Sequence, residues 1–139
     1  MKTNIYIGID PDIDKSGVAI WDRSDKSLEL YNMTLPELID ELKSYNVPIH
    51  VVIEAGWLIN KSNWHTAQGQ FRRERIAKNV GENHAIGKVI EQFCKHLNIS
   101  YELQKPKGKL NSETFKNMTK IIKRTNQEQR DAAMLVYGI

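Results

Sequence analysis

The chain has 139 residues, 40% of them hydrophobic and 27% charged, with a formal net charge of +3. That length favours one domain, residues 1–139, with a core of its own, and the composition excludes a disordered or fibrous chain. No apolar run approaches the roughly 20 residues of a bilayer span, MKTNIYIGID lacks a signal-peptide pattern, and the lone Cys94 can neither close an internal disulfide nor build a thiolate zinc site. A cytoplasmic protein without membrane attachment is the expectation.

Residues 3–10 (TNIYIGID) are apolar and β-branched on both parities, as in a central strand covered on both faces. The turn PDIDKS leads to a strand over 17–22, and RSDK leads to another over 27–33, so the first three strands join through hairpins. Thr34 can cap a helix with Pro36 in its first turn and a stripe of Leu35, Leu38, Ile39 and Leu42. Residues 49–54 (IHVVIE) read as a buried strand that ends on a charge. A long polar segment follows to about residue 80, then a helix over 82–97 with a stripe of Ala85, Ile86, Val89, Ile90, Phe93, Cys94 and Leu97. A strand over 99–103, a lysine-rich segment over 104–124 and a helix over 126–137 complete the chain. The order βββαβαβα predicts an α/β fold, a mixed five-stranded sheet with helices on both faces.

The charge is unevenly spread. Segment 57–80 holds five basic residues against one acidic, and segment 104–124 holds seven against one, so these two carry +10 and the remainder −7. Such local excess is the footprint of a nucleic-acid binder, against the alternative of solvated loops. In the first segment Trp57 and Trp64 are interleaved with Lys61, Arg72, Arg73, Arg75 and Lys78, a composition suited to stacking bases and neutralising phosphates; the tryptophans could equally plug the loop onto the core. His65 has no second His or Cys at ligand spacing, and His50, His84 and His96 carry no pattern.

Asp10 closes the first strand and Glu54 the fourth. If those strands are parallel neighbours, both acids reach the carboxyl edge of the sheet, where open α/β sheets place their sites. Glu128 and Asp131, three residues apart, share one face of the last helix. Converging acids repel unless cations lie between them. All-oxygen ligation suits Mg²⁺ or Mn²⁺, and two such ions about 3.5–4 Å apart can activate water and stabilise the leaving oxygen of a phosphodiester. Each acid also has an ordinary use. Asp10-Pro11 can open a turn, Glu54 can pair with a loop arginine, Thr125-Asn126-Gln127-Glu128 fits a capping box, and Asp131 can pair with Arg130 or a lysine. Asp12 and Asp14 read as turn residues.

Ile7-Gly8-Ile9-Asp10-Pro11 with Ser16-Gly17-Val18-Ala19, then Val52-Ile53-Glu54, then Glu128-x-x-Asp131-Ala132-Ala133-x-Leu135, resemble the RuvC-type Holliday-junction resolvases of the ribonuclease H-like superfamily, in order and over nearly the whole chain. The resemblance implies a ribonuclease H-like sheet and a metal-dependent endonuclease that resolves branched DNA by paired nicks. It implies that Asp10, Glu54, Glu128 and Asp131 hold the metal, with Glu128 departing from the Asp or His common at its place. It puts Trp57, three residues after Glu54, at the junction bases, and makes Lys105, Lys107, Lys109 or Lys116 the basic residue beside the last helix. Paired nicks imply a homodimer, for which the helix over 82–97, with Gly81 and Gly87, is a candidate interface and equally an ordinary core helix. A ribonuclease H-like nuclease on RNA, hybrid or flap substrates and a non-catalytic nucleic-acid-binding module are the alternative readings.

Overall fold

Strand β1 (Ile5–Asp10) is the central strand, antiparallel to β2 (Ser16–Asp22) on one edge and parallel to β4 (Ile49–Glu54) on the other. The computed structural model describes residues 2–59 and 69–139. With β3 (Ser27–Met33) antiparallel to β2 and β5 (Ser100–Gln104) parallel to β4, the described strands form one mixed five-stranded sheet in the order β3-β2-β1-β4-β5.

Alternation along the strands divides the core into two layers. Ile7, Ile9, Val51 and Ile53 pack with Leu38 and Leu42 of α1 (Leu35–Lys43) and with Ile90 and Cys94 of α2 (Gln70–His96). Ala19, Trp21, Leu30 and Val52 pack on the opposite face with Ala132, Ala133, Leu135 and Val136 of α4 (Gln127–Val136) and with Phe115 of α3 (Ser112–Thr119). The α/β architecture expected from the sequence, with helices on both faces, is the one observed. No described helix is long and apolar enough to cross a membrane.

Helix α1 begins as its sequence requires. Thr34 Oγ1 accepts from the Glu37 N–H at 3.3 Å, and Glu37 Oε1 accepts from the Thr34 N–H at 2.9 Å. Thr34→Ala is expected to cost about 1 kcal/mol in urea unfolding, the usual worth of a lost N-cap.

Two elements differ from the sequence reading. Helix α2 starts at Gln70 rather than 82, because its first turns are built from good helix formers and side-chain pairs instead of an apolar stripe. Gln70 Nε2 donates to Glu74 Oε1 at 2.9 Å, and Lys78 pairs with Glu82 at 3.8 Å. Helix α3 lies inside the segment read as lysine-rich. Asn111 caps it by accepting from the Thr114 N–H at 2.8 Å, and Phe115, 1% exposed, is its anchor in the core. Phe115 is the buried residue of α3 and Met118, three residues on, is 40% exposed, so two turns give a stripe too short to read.

Candidate metal centre

The parity that builds the core also aims the acids. In β1, Ile7 and Ile9 face α1 and α2, whereas the Gly8 backbone meets Ala132 of α4; Asp10, two residues after Gly8, therefore extends from the α4 face. Val52 and Glu54 repeat this pattern on β4. Because β1 and β4 are parallel, with Ile9 opposite Ile53, both strands end at the same edge of the sheet. Helix α4 crosses that face and brings Asp131 to meet them. Carboxylate oxygens of Asp10, Glu54 and Asp131 lie within 4.8 Å of one another, and all three residues are half-buried.

Helix α4 can come so close because the strands beneath it are bare. A Cβ on Gly8 would lie 2.2 Å from the Ala132 carbonyl oxygen, and one on Gly17 would lie 2.2 Å from that of Glu128. Glycine inside a strand often marks such an approach of another backbone. Here it seats the last helix, and with it Glu128 and Asp131, on the sheet.

Three carboxyl groups crowded together resist ionising together. Burial first, then the charges of Glu54, Asp131 and Glu128, push the Asp10 carboxyl up to about 8 from an ordinary 3.8, with Lys109 acting the other way. Glu54 is also raised, by burial and then by Asp131, again with Lys109 opposing. Lys109 Nζ stands 3.6 Å from Asp131 Oδ2, and Gln127 Nε2 donates to Asp131 Oδ1 at 2.8 Å. Arg130, an alternative partner for Asp131, is occupied elsewhere: its guanidinium donates to the backbone oxygens of Leu110 and Thr125 at 3.1 and 2.9 Å.

Glu128 stands apart from the trio. The capping box of α4 lies one residue beyond the Thr125–Glu128 pair considered from sequence: Asn126 Oδ1 accepts from the Gln129 N–H, and Gln129 Oε1 accepts from the Asn126 N–H. Glu128 is thus released from capping. It sits one turn before Asp131, close enough to act on Asp10 by charge.

This donor set fits a hard divalent cation. Oxygen donors from three half-buried carboxyl groups converge within the span of one coordination sphere, and a lysine lies against the rim. The electrostatics give a pH prediction. An unfolded chain releases the Asp10 proton near 3.8, while the fold retains it to about 8, so the native state binds the extra proton between those values. Stability of the metal-free protein should therefore fall as pH rises through that window, with the loss complete above about 8. Melting at pH 9 should be restored by millimolar Mg²⁺ or Mn²⁺, with a shift of at least about 5 °C. An unchanged melting temperature on adding either ion would count against the centre.

The remaining sequence candidates lie outside this trio. Trp57, in a single 3-10 turn over Gly56–Leu58, packs against α2, where its ring meets His84 edge-on at 5.8 Å and carries the Lys88 ammonium over it at 5.8 Å. Lys61 and Trp64 lie outside the described residues. Arg72, Arg73, Arg75 and Lys78 all lie on the exposed first half of α2, roughly 18 Å of helix that also carries Phe71, 89% exposed. Lys105, Lys107, Lys109 and Lys116 are exposed; Lys107 Nζ donates to the Met134 carbonyl at 3.4 Å, and Lys109 is the member of this set paired with the acids. Asp12 and Asp14 form the turn after β1, where Asp12 Oδ1 accepts from the Asp14 N–H at 2.9 Å.

Sequence reasoning missed three residues here. Gln127 orients Asp131, and its spacing of four on one helix was the available signal. Asn83 Oδ1 accepts from the Ile13 N–H at 3.0 Å and ties α2 to the loop after Asp10, a contact across 70 residues with no local signature. Gln104 lies opposite Glu54 in the β4–β5 register, with its Nε2 donating to Glu102 Oε1 at 3.0 Å and its buried Oε1 without a protein partner among the described residues. Comparison of the chain with protein-family models, with curated proteins and with solved structures finds no match.

Proposed function

We propose that the protein is a ribonuclease H-like, RuvC-type endonuclease that cuts branched DNA in the presence of Mg²⁺ or Mn²⁺, with four-way junctions as its preferred substrate. The observation that carries the reading is the meeting of Asp10, Glu54 and Asp131 within 4.8 Å at the carboxyl edge of the sheet, beside Lys109. It is supported by the ordered motifs around these acids and by the local excess of basic residues in segments 57–80 and 104–124.

On this reading Asp10, Glu54 and Asp131 hold one ion, and Glu128, one helical turn away, serves a second. When bound, the metal supplies charge for the scissile phosphate and lowers the pKa of an attacking water. The chain's own groups do the rest. Asp10, whose carboxyl is pushed up to about 8 by burial and its acidic neighbours, would release its proton to a bound cation. Lys109 neutralises the rim of the acid cluster and is placed to contact a phosphate oxygen next to it. Arg72, Arg73, Arg75 and Lys78 on α2, with Lys105, Lys107 and Lys116, bind the flanking strands by neutralising phosphates. Paired nicks across a nearly twofold substrate call for a homodimer.

The test is a panel of four-way, flap, duplex and RNA–DNA substrates cut under one set of conditions. Preferential cutting of the four-way junction supports the reading, preferential cutting of hybrids moves the substrate to RNA, and metal-independent binding without cutting would leave a binding module in its place. A monomeric mass by light scattering on junction DNA would remove the homodimer.

A further inference from the structure

Asp10 and Glu54 are each followed by a loop, and both loops come down on one turn of α2. This lies on the sheet face opposite to the one from which the acids project. From the first loop, the Ile13 N–H donates to Asn83 Oδ1 at 3.0 Å. From the second, the Gly56 backbone runs so near the His84 ring that a Cβ there would lie 2.7 Å from its Nε2. The two loops meet at Gly87, which is buried. A Cβ on Gly87 would lie 2.5 and 2.8 Å from Trp57 Cζ3 and Cη2, and 3.1 Å from Pro11 Cγ. Pro11 directly follows Asp10, and Trp57 follows Glu54 by three residues.

Helix propensity opposes a glycine at this place. In mid-helix Gly costs about 1 kcal/mol relative to Ala, so its presence inside α2 answers a steric demand. That demand comes from two side chains anchored beside the two strand-borne acids. Any widening at Gly87 would press on Pro11 and Trp57 together and alter the separation of the strand ends behind them. Interiors are packed too densely to absorb such a change locally.

We infer that the Asn83–Lys88 turn of α2 is a positioning element for the metal centre, with Gly87 as its joint: it holds Asp10 and Glu54 at the separation that a divalent cation requires. The inference rests on the metal reading above. Gly87, Asn83 and Trp57 act in it as positioning residues through the loops.

The experiment is titration of the full chain with Mn²⁺ alone, followed by electron paramagnetic resonance, with circular dichroism and melting recorded on each variant. Gly87→Ala should weaken Mn²⁺ binding about tenfold or more, the usual scale for groups that orient ligands without touching the metal. Trp57→Leu removes the ring atoms that the new methyl would strike. The double variant should therefore bind Mn²⁺ within about threefold of Trp57→Leu alone, a rescue expected only from relief of the steric conflict. A folded Gly87→Ala protein with unchanged affinity, or a loss that Trp57→Leu does not relieve, overturns the inference. Should Gly87→Ala not fold, Asn83→Ala deletes only a side-chain acceptor and is expected to weaken Mn²⁺ binding several-fold; unchanged affinity in that variant overturns it as well. Asp10→Asn separates this from the underlying reading: Mn²⁺ uptake that survives Asp10→Asn refutes the metal centre itself, whatever Gly87 does.

Discussion

On the proposed function, Asp10→Asn is expected to lose at least about 10³-fold of metal-dependent junction cleavage, equivalent to about 4 kcal/mol of barrier, while retaining junction binding. The substitution keeps the shape of the side chain and removes one of three carboxylates that converge within 4.8 Å. Binding should persist because the basic surfaces on α2 and on the 104–124 segment are untouched. The same variant carries a second expectation of opposite sign. Without metal, ionised Asp10 is a liability to the fold, since burial and three neighbouring acids push its carboxyl up to about 8. Asparagine cannot ionise, so the variant should be more stable than the wild type at pH 9 and close to it at pH 4. An acid kept for a structural ion pair would behave otherwise, because removing one partner of such a pair destabilises. Loss of cutting together with gain of stability at alkaline pH is therefore the signature of a metal-holding acid, and undiminished cutting would defeat the assignment.

Gly8→Ala is expected to be among the most damaging small substitutions in the chain, costing about 3 kcal/mol or more in urea unfolding. Its Cβ would stand 2.2 Å from the Ala132 carbonyl oxygen and 3.3 Å from Val136 Cγ2, and both of those residues are fully buried. Neither side can yield. The strand is held by β2 and β4, and the helix is pressed down by Trp21, Leu30 and Val52 of the same core layer. Whatever fraction of the protein folds should carry α4 displaced outward, and Asp131 with it, so Mn²⁺ affinity should fall too. Gly81→Ala is the control. It lies within α2 with nothing within 4 Å of its added methyl, so gaining helix propensity should stabilise the protein by about 0.5–1 kcal/mol. Equal effects at the two glycines would show that α4 does not rest on β1 as described.

Much of this architecture could be read from the chain because it depends on local pattern. The two-sided apolar β1, the hairpins after it, the cap at Thr34, and the stripes of α1 and of the second half of α2 are statements about neighbours a few residues apart. The first half of α2 and the whole of α3 escaped because neither presents a periodic apolar face. One is held by its own polar pairs, the other by Phe115 alone.

For the acids, sequence alone determined which residues end strands β1 and β4 and that Glu128 and Asp131 share a helical face. Alternation made Asp10 an even step from Gly8, and Glu54 an even step from Val52. It did not say which face those steps select, because both strands are apolar on both parities and only the packing of α4 onto Gly8 and Gly17 decides. Tertiary structure alone chose Lys109 from among the lysines before the last helix, moved the cap of α4 to Asn126 and so left Glu128 free of it, and set Trp57 and Pro11 together on Gly87. The physical reason is common to all three. Charge pairing, capping register and side-chain collision depend on distances of a few ångströms between segments far apart in the chain, and a one-residue shift that no local pattern forbids is enough to change each of them.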